Sequence, residues 1–149
     1  MKKKMIAMLA GLTMTASAVG YAMIAPDGIA ISGVAPGTSV SAATAKLGTP
    51  QYGGGDKIYF PNGIIIERAD HNPDLIEEVE TVAPGNATPG GVQVGMPESS
   101  ITATYGNPDK IDRDFDDTEY TYYSTDYFKK LEFKVVGGNI VKIKCKIRD

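Results

Sequence analysis

The residues with the most chemical potential lie in one acidic run, Asp109-Lys110-Ile111-Asp112-Arg113-Asp114-Phe115-Asp116-Asp117-Thr118-Glu119. Asp112, Asp114 and Asp116 have the one-three-five spacing with which a calcium loop presents its oxygen ligands. Position six of that loop needs glycine for a sharp turn and position twelve needs Glu, but Asp117 and Tyr123 stand there. A helix–loop–helix calcium site is therefore excluded. An irregular calcium site stays open as the alternative to a solvated loop, which is the expectation. The Asp112 to Glu119 carboxylates are also the raw material for hydrolysis of a glycoside. That chemistry needs two opposed carboxyl groups across a cleft, one of them in an apolar pocket, and an exposed loop offers neither.

Other reactive types are sparse. His71 is the only histidine and stands before an Asn-Pro pair, so it reads as a turn residue, with no second histidine to complete a metal site. Cys145 is the only cysteine, which rules out an intramolecular disulfide, and it shares the apolar side of a strand with Val141, Ile143 and Ile147. A buried structural thiol is expected. Gly53-Gly54-Gly55 lacks the Lys-Ser/Thr that follows a phosphate-cradling loop, so it reads as a plain loop. Asn86-Ala87-Thr88 spells a glycosylation acceptor that is expected to be silent.

The aromatic residues point to binding rather than catalysis. Phe115, Tyr120, Tyr122, Tyr123, Tyr127 and Phe128 crowd into fourteen positions, while residues 29–82 offer only Tyr52, Tyr59 and Phe60. Strand alternation sends half of them inward. The remainder, Tyr122, Tyr123 and Tyr127 beside Asp114, Asp116 and Asp117, are the expected partner-binding residues. Rigid aromatic anchors inside a negative rim suit a basic protein surface. No catalytic residue, cofactor or metal ligand is assigned.

Composition narrows the setting. Lys2, Lys3 and Lys4 precede a charge-free stretch that ends near Ala16-Ser17-Ala18 and Gly20-Tyr21-Ala22, the layout of a secretory signal peptide over residues 1–25. Cleavage after Ala18 or Ala22 is expected, with an uncleaved anchor as the competing reading. No cysteine follows that could accept a lipid. The whole chain carries a net charge of −3; all its acidic residues lie beyond residue 25, so removing the three leader lysines leaves −6. Such a surface argues against nucleic acid and, after cleavage, against membrane association. Secretion or a place in the periplasm or cell envelope is expected.

The elements that position these residues follow from an internal repeat. Gly33 to Pro50 aligns without gaps on Gly91 to Pro108, and eight of the 18 pairs are identical: Gly33/Gly91, Val34/Val92, Gly37/Gly95, Ser41/Ser99, Thr44/Thr102, Ala45/Ala103, Gly48/Gly106 and Pro50/Pro108. Repetition of this kind marks one supersecondary unit copied once. Each copy predicts a short helix. Thr38 or Ser39 caps the first, Ala43 and Leu47 face its core, Gly48 stops it and Pro50 blocks continuation. Pro97 opens the second at its first helical position, Ile101 and Tyr105 share a face, and Gly106 and Pro108 end it.

Strands follow each helix. Lys57 to Phe60, the turn Pro61-Asn62-Gly63, Ile64 to Arg68, a turn at His71-Asn72-Pro73-Asp74 and Leu75 to Val82 are predicted in the first unit. Tyr120 to Tyr123, then a hairpin of Leu131 to Val135 and Val141 to Ile147 around Gly137-Gly138-Asn139, are predicted in the second. The last strand of the first unit is acidic (Glu77, Glu78, Glu80) and that of the second basic (Lys142, Lys144, Lys146), which would let the two pair.

The helices ending in Leu47-Gly48-Thr49-Pro50 and Tyr105-Gly106-Asn107-Pro108, the strand Tyr120-Thr121-Tyr122 and the hairpin arm Leu131-Glu132-Phe133 resemble the β-lactamase-inhibitor-protein-like domains and the related SmpA/OmlA-type assembly lipoproteins. The resemblance implies tandem copies and a role in binding other proteins. The reading is an α+β protein of two tandem repeats, each a short helix (or helix pair) packed on an antiparallel sheet of three to four strands. Residues 29–82 form the first repeat, 83–90 a linker and 91–149 the second. The expected function is an exported, non-enzymatic protein-binding module, inhibitor-like in mode. The alternative is a calcium-binding or hydrolytic secreted protein that uses Asp112 to Glu119.

Overall fold

The computed structural model describes residues 24–149, so the leader expected over 1–25 lies almost wholly outside the described residues. The chain builds one eight-stranded, fully antiparallel sheet with two short helices, an α+β fold. Helix α1 (Val40–Leu47) is followed by β1 (Tyr52–Gly54), β2 (Lys57–Tyr59), β3 (Ile64–Ala69) and β4 (Asn72–Thr81). Helix α2 (Ser99–Tyr105) is followed by β5 (Lys110–Arg113), β6 (Thr118–Tyr123), β7 (Lys129–Val136) and β8 (Asn139–Ile147). The strand order is β1-β2-β3-β4-β8-β7-β6-β5, so the last strands of the two halves meet at the centre. Among the described residues no helix is long and apolar enough to cross a membrane.

The helix ends obey local chemistry. Ser39 caps α1 by accepting from the Ala42 N–H at 3.0 Å, and Gly48 ends it at φ 87°, ψ −169°, a region open almost only to glycine. Gly106 closes α2 in the same way, at φ 73°, ψ −155°. The start of α2 differs from expectation. Pro97 lies before the helix, bridged to Asn139, and Glu98 spends its side chain on the Tyr120 hydroxyl rather than on a cap. A pairing partner at the sheet outcompetes the first-turn position.

One face of the sheet carries the core, with Ile58, Ile64, Ile66, Ile76, Val79, Tyr122, Leu131, Phe133, Ile143 and Cys145 all buried. The hairpin of β7 and β8 turns through Gly137 and Gly138, both at positive φ, as a two-residue loop requires. A bulge then shifts the register, since Lys134 opposes Lys142 while Val135 opposes Ile140. Val141 is the extra residue, so Ile140 fills the inward place that simple alternation assigns to Val141.

Two segments are more tightly built than their composition suggests. Ile29, Ile31 and Val34, upstream of α1, are buried in the core. Residues 83–90, expected as a linker, are tied down by two buried side chains. Asn86 donates from Nδ2 to the Asn62 carbonyl at 2.8 Å and accepts at Oδ1 from Ser32 Oγ at 2.9 Å. Thr88 Oγ1 accepts from the Tyr105 hydroxyl at 2.6 Å. Asn86 is thus a structural residue, its amide occupied and its side chain enclosed, which leaves no room for a glycan. Asn86→Ala should lower stability by about 1–3 kcal/mol, the cost of orphaning buried partners, seen in urea unfolding as a lower midpoint at unchanged slope.

Candidate functional site

The acidic run does not form one loop. Lys110–Arg113 is the edge strand β5, paired to β6 with Asp112 opposite Glu119. Sheet pairing there overrides the poor strand propensity of aspartate. Asp112 bridges Lys110 at 3.1 Å, and Asp117 bridges Lys134 at 2.6 Å. Only Asp114 to Asp117 make the turn, closed by the Asp114 N–H donating to the Asp117 carbonyl at 2.9 Å. Among the described residues no three His, Cys, Asp or Glu side chains converge as a metal site. His71 is exposed and sits in the tight turn between β3 and β4, as expected, and Cys145 is enclosed, with burial pushing its thiol far up from the usual range.

The solvent face of the sheet is a lattice of charges. Glu80 lies 2.7 Å from Lys142 and Glu78 lies 3.2 Å from Lys144, with each carboxylate largely covered by neighbouring side chains. A shallow cleft of about 240 Å³ lies among Glu119, Glu132, Lys134, Lys142 and Lys144. Burial, with the Glu132 charge, raises the Glu119 carboxyl. Burial pulls the Lys144 amine down, but Glu78, Glu80 and Glu132 outweigh it and the net shift is upward. Lysines surround the carboxylates here, and no apolar wall isolates one of them as acid catalysis demands.

The expected aromatic patch divides in two. Tyr122 is fully buried, its hydroxyl donating to the Gly106 carbonyl at 2.8 Å and its ring set among Tyr105 and Phe133. It is a core residue and not a partner contact, because it shares the inward parity of β6 with Tyr120. Tyr123 and Tyr127 do come together, with ring centroids 6.5 Å apart, at the end of β6. Asp114, Asp116 and Asp117 lie at the other end of that strand. At least six residue steps separate them from Tyr123, roughly 20 Å, so the aromatic pair has no aspartate rim of that kind. Phe115 stands with the aspartates, wholly exposed.

What surrounds Tyr123 and Tyr127 is a different set. Arg148 places its guanidinium over the Tyr123 ring at 4.1 Å and 5.9 Å from the Tyr127 centroid, and donates to the Tyr127 carbonyl at 3.2 Å. Stacking of this kind holds both partners rigid. Phe128 projects beside them, 70% exposed, and Tyr127 is 60% exposed. The turn beneath is locked from within. Ser124 Oγ donates to Asp126 Oδ1 at 2.6 Å, and the Phe128 N–H donates to the same oxygen at 3.0 Å. Those bonds hold the Asp126 carboxyl below its ordinary range.

Tyr127 takes φ 61°, a left-handed conformation costly for a bulky residue. Strain of that kind persists only where the surroundings enforce it, and here it aims two aromatic rings into solvent. Arg148 and Phe128, which complete the cluster, are the residues that strand and turn patterns alone did not single out. Their register is set by the Arg148 N–H donating to the Phe128 carbonyl at 2.8 Å.

No family model matches the chain, and no curated protein matches it. Among solved structures it is similar to a DUF4309 family protein, YjgB, from Bacillus subtilis, with a TM-score of 0.51 and 16% identity over 74% of this chain and 78% of that one. It is also similar to an extracellular protein containing an SCP domain from Bacillus anthracis, with a TM-score of 0.46 and 8% identity over 75% of this chain and 44% of that one. At such identity the first likeness speaks for the fold alone.

The core assignment of the tyrosines has a pH signature. Burial raises Tyr105, Tyr120 and Tyr122 above the ordinary tyrosine value of 10.0. The unfolded chain therefore loses these protons first, and stability is intact below pH 10 and falls as pH climbs beyond it. Tyr122→Phe should cost about 1 kcal/mol at neutral pH through the lost hydrogen bond. It should also flatten the alkaline decline, as followed by urea midpoints across the pH range.

Proposed function

We propose that this chain is an exported, non-enzymatic protein-binding module of the bacterial envelope or exterior, and that it binds through the aromatic tip of Tyr123, Tyr127, Phe128 and Arg148. The observation that carries the reading is Tyr127 itself, a strained residue whose turn is fixed by Ser124 and Asp126 while its ring stays in solvent. A turn this rigid loses little conformational freedom on association. Tyrosine and arginine are the side chains that most often dominate binding energy, and the flanking Phe128 adds apolar area for a pocket on the partner.

Export rests on the leader pattern of residues 1–25, and an inhibitor-like mode on the resemblance of the glycine-proline helix stops and the tyrosine strand. We also read residues 29–82 and 91–149 as fused copies of one unit. The eight identities in 18 aligned positions support this, together with the order of one helix and four strands in each half. No cofactor enters the proposal.

Photo-crosslinking in the native host tests the site. A crosslinking amino acid at Phe128 should give a discrete adduct, whereas one at Glu67, on β3 four strands away from β6, should give none. Adducts of equal yield at both positions would contradict the tip as the interface. With the captured protein purified, Tyr127→Ala and Phe128→Ala should each weaken binding by about 1–2 kcal/mol. Tyr127→Gly should weaken it as much while leaving the melting temperature level or higher, since glycine takes positive φ without strain.

A further inference from the structure

Strand β5 ends the sheet, and among the described residues nothing pairs with its outer edge. The hydrogen bond from the Asp114 N–H to the Asp117 carbonyl fixes the pairing parity of this hairpin. Counting back along the register, Lys110 and Asp112 turn their backbone groups toward β6. Ile111 and Arg113 point theirs outward. An open edge of this kind is a template for another strand unless it is defended.

The side chains along it are self-complementary. Asp109, Lys110, Ile111, Asp112 and Arg113 read negative, positive, apolar, negative, positive, and the order is inverted about Ile111. Set antiparallel against itself with Ile111 opposite Ile111, the edge brings Lys110 opposite Asp112 and Asp109 opposite Arg113, twice each by symmetry. The Lys110 and Asp112 pair falls on the solvent face of the sheet, and the exposed Ile111 side chains, each 42% exposed, cover one another on the opposite face. The outward N–H and C=O of Ile111 are then satisfied reciprocally. The wholly exposed Phe115 stands just beyond the Arg113 end of the strand, in the turn to β6.

We infer that β5 is a homotypic docking edge, joining two copies of this chain into a sixteen-stranded antiparallel sheet about a twofold axis at Ile111. Twofold interfaces must be self-complementary patches, which this edge is. Strand addition draws its affinity from main-chain hydrogen bonds and its register from the alternating side chains. A four-residue strand makes the association weak and concentration-dependent. The docking edge and the aromatic tip are different surfaces that meet at one point, where the Asp109 carboxylate accepts from the Tyr123 N–H at 2.7 Å.

Sedimentation velocity of the exported protein from micromolar to near-millimolar concentration should show a reversible monomer–dimer equilibrium. Asp112→Lys sets like charges opposite each other at two symmetric places and should weaken the dimer by about tenfold. Adding Lys110→Asp to that variant restores the complementary pattern and should return the dissociation constant to within about twofold. A monomer at every concentration overturns the inference. So does a dimer that ignores Asp112→Lys, or one lost with Tyr127→Ala, which would place the contact at the tip. A dimer that forms only once residues 1–23 are removed would show the chain's own N-terminal segment on the edge and would equally overturn it.

Discussion

The pairing of β4 with β8 is the contact on which the rest of the molecule depends. Each half alone has four strands and one helix of eight residues or fewer, too little to bury a core of its own. Side by side, Val79 meets Cys145 and Thr81 meets Ile143 on the covered face, while Glu78 opposes Lys146 and Glu80 opposes Lys144 on the open one. The apolar pairs supply the burial. The charged pairs make this register better than its neighbours, because a one-residue slip would carry every lysine of β8 into the core. Ion pairs at a sheet surface contribute modestly to stability, and their value here is in selecting the partner strand.

The position of the aromatic tip follows from that seam. Once β8 is held by β4 on one side, it aligns β7 on the other, and Ile147 opposes Lys129 at the end of the hairpin. Arg148, the next residue, then reaches the 124–128 turn and stacks on Tyr123. The charge lattice across the middle of the open face and the apolar rings at its end are thus consequences of one register. Most of the first is paired within the chain, and the second keeps its apolar area exposed.

Much of this fold was legible in the sequence because its signals are local. The two glycine stops, the Asn62-Gly63 turn, the Gly137-Gly138 hairpin and the acidic-basic match of β4 and β8 each follow from a few adjacent residues. The turn expected at His71 to Asp74 is shorter, since β4 begins at Asn72 and Pro73 sits where the pairing with β3 is already irregular. What local chemistry cannot reveal is a strand whose only support is its neighbour. Neither β1, with its Gly53 and Gly54, nor β5, with its charges, carries a strand pattern, and both exist because β2 and β6 offer them an edge. The proposed partner-binding set was half legible for the same reason. Alternation separates Tyr122 from Tyr123 once the parity of β6 is known, but the distance from Tyr123 to Asp114 depends on the strand running between them. The left-handed Tyr127 is invisible to any pattern, because its cause is the Ser124 and Asp126 network.

The claim that everything else rests on is that the two halves are one cooperative sheet joined at the β4–β8 seam. Native-state hydrogen exchange tests it most directly. The hydrogen-bonded amides of β4 between Glu78 and Thr81 and of β8 between Ile143 and Lys146 should be the slowest to exchange, opening only with global unfolding and with the full denaturant dependence of that transition. Fast exchange at the seam, with each half protected on its own and lost at a different denaturant concentration, would contradict it.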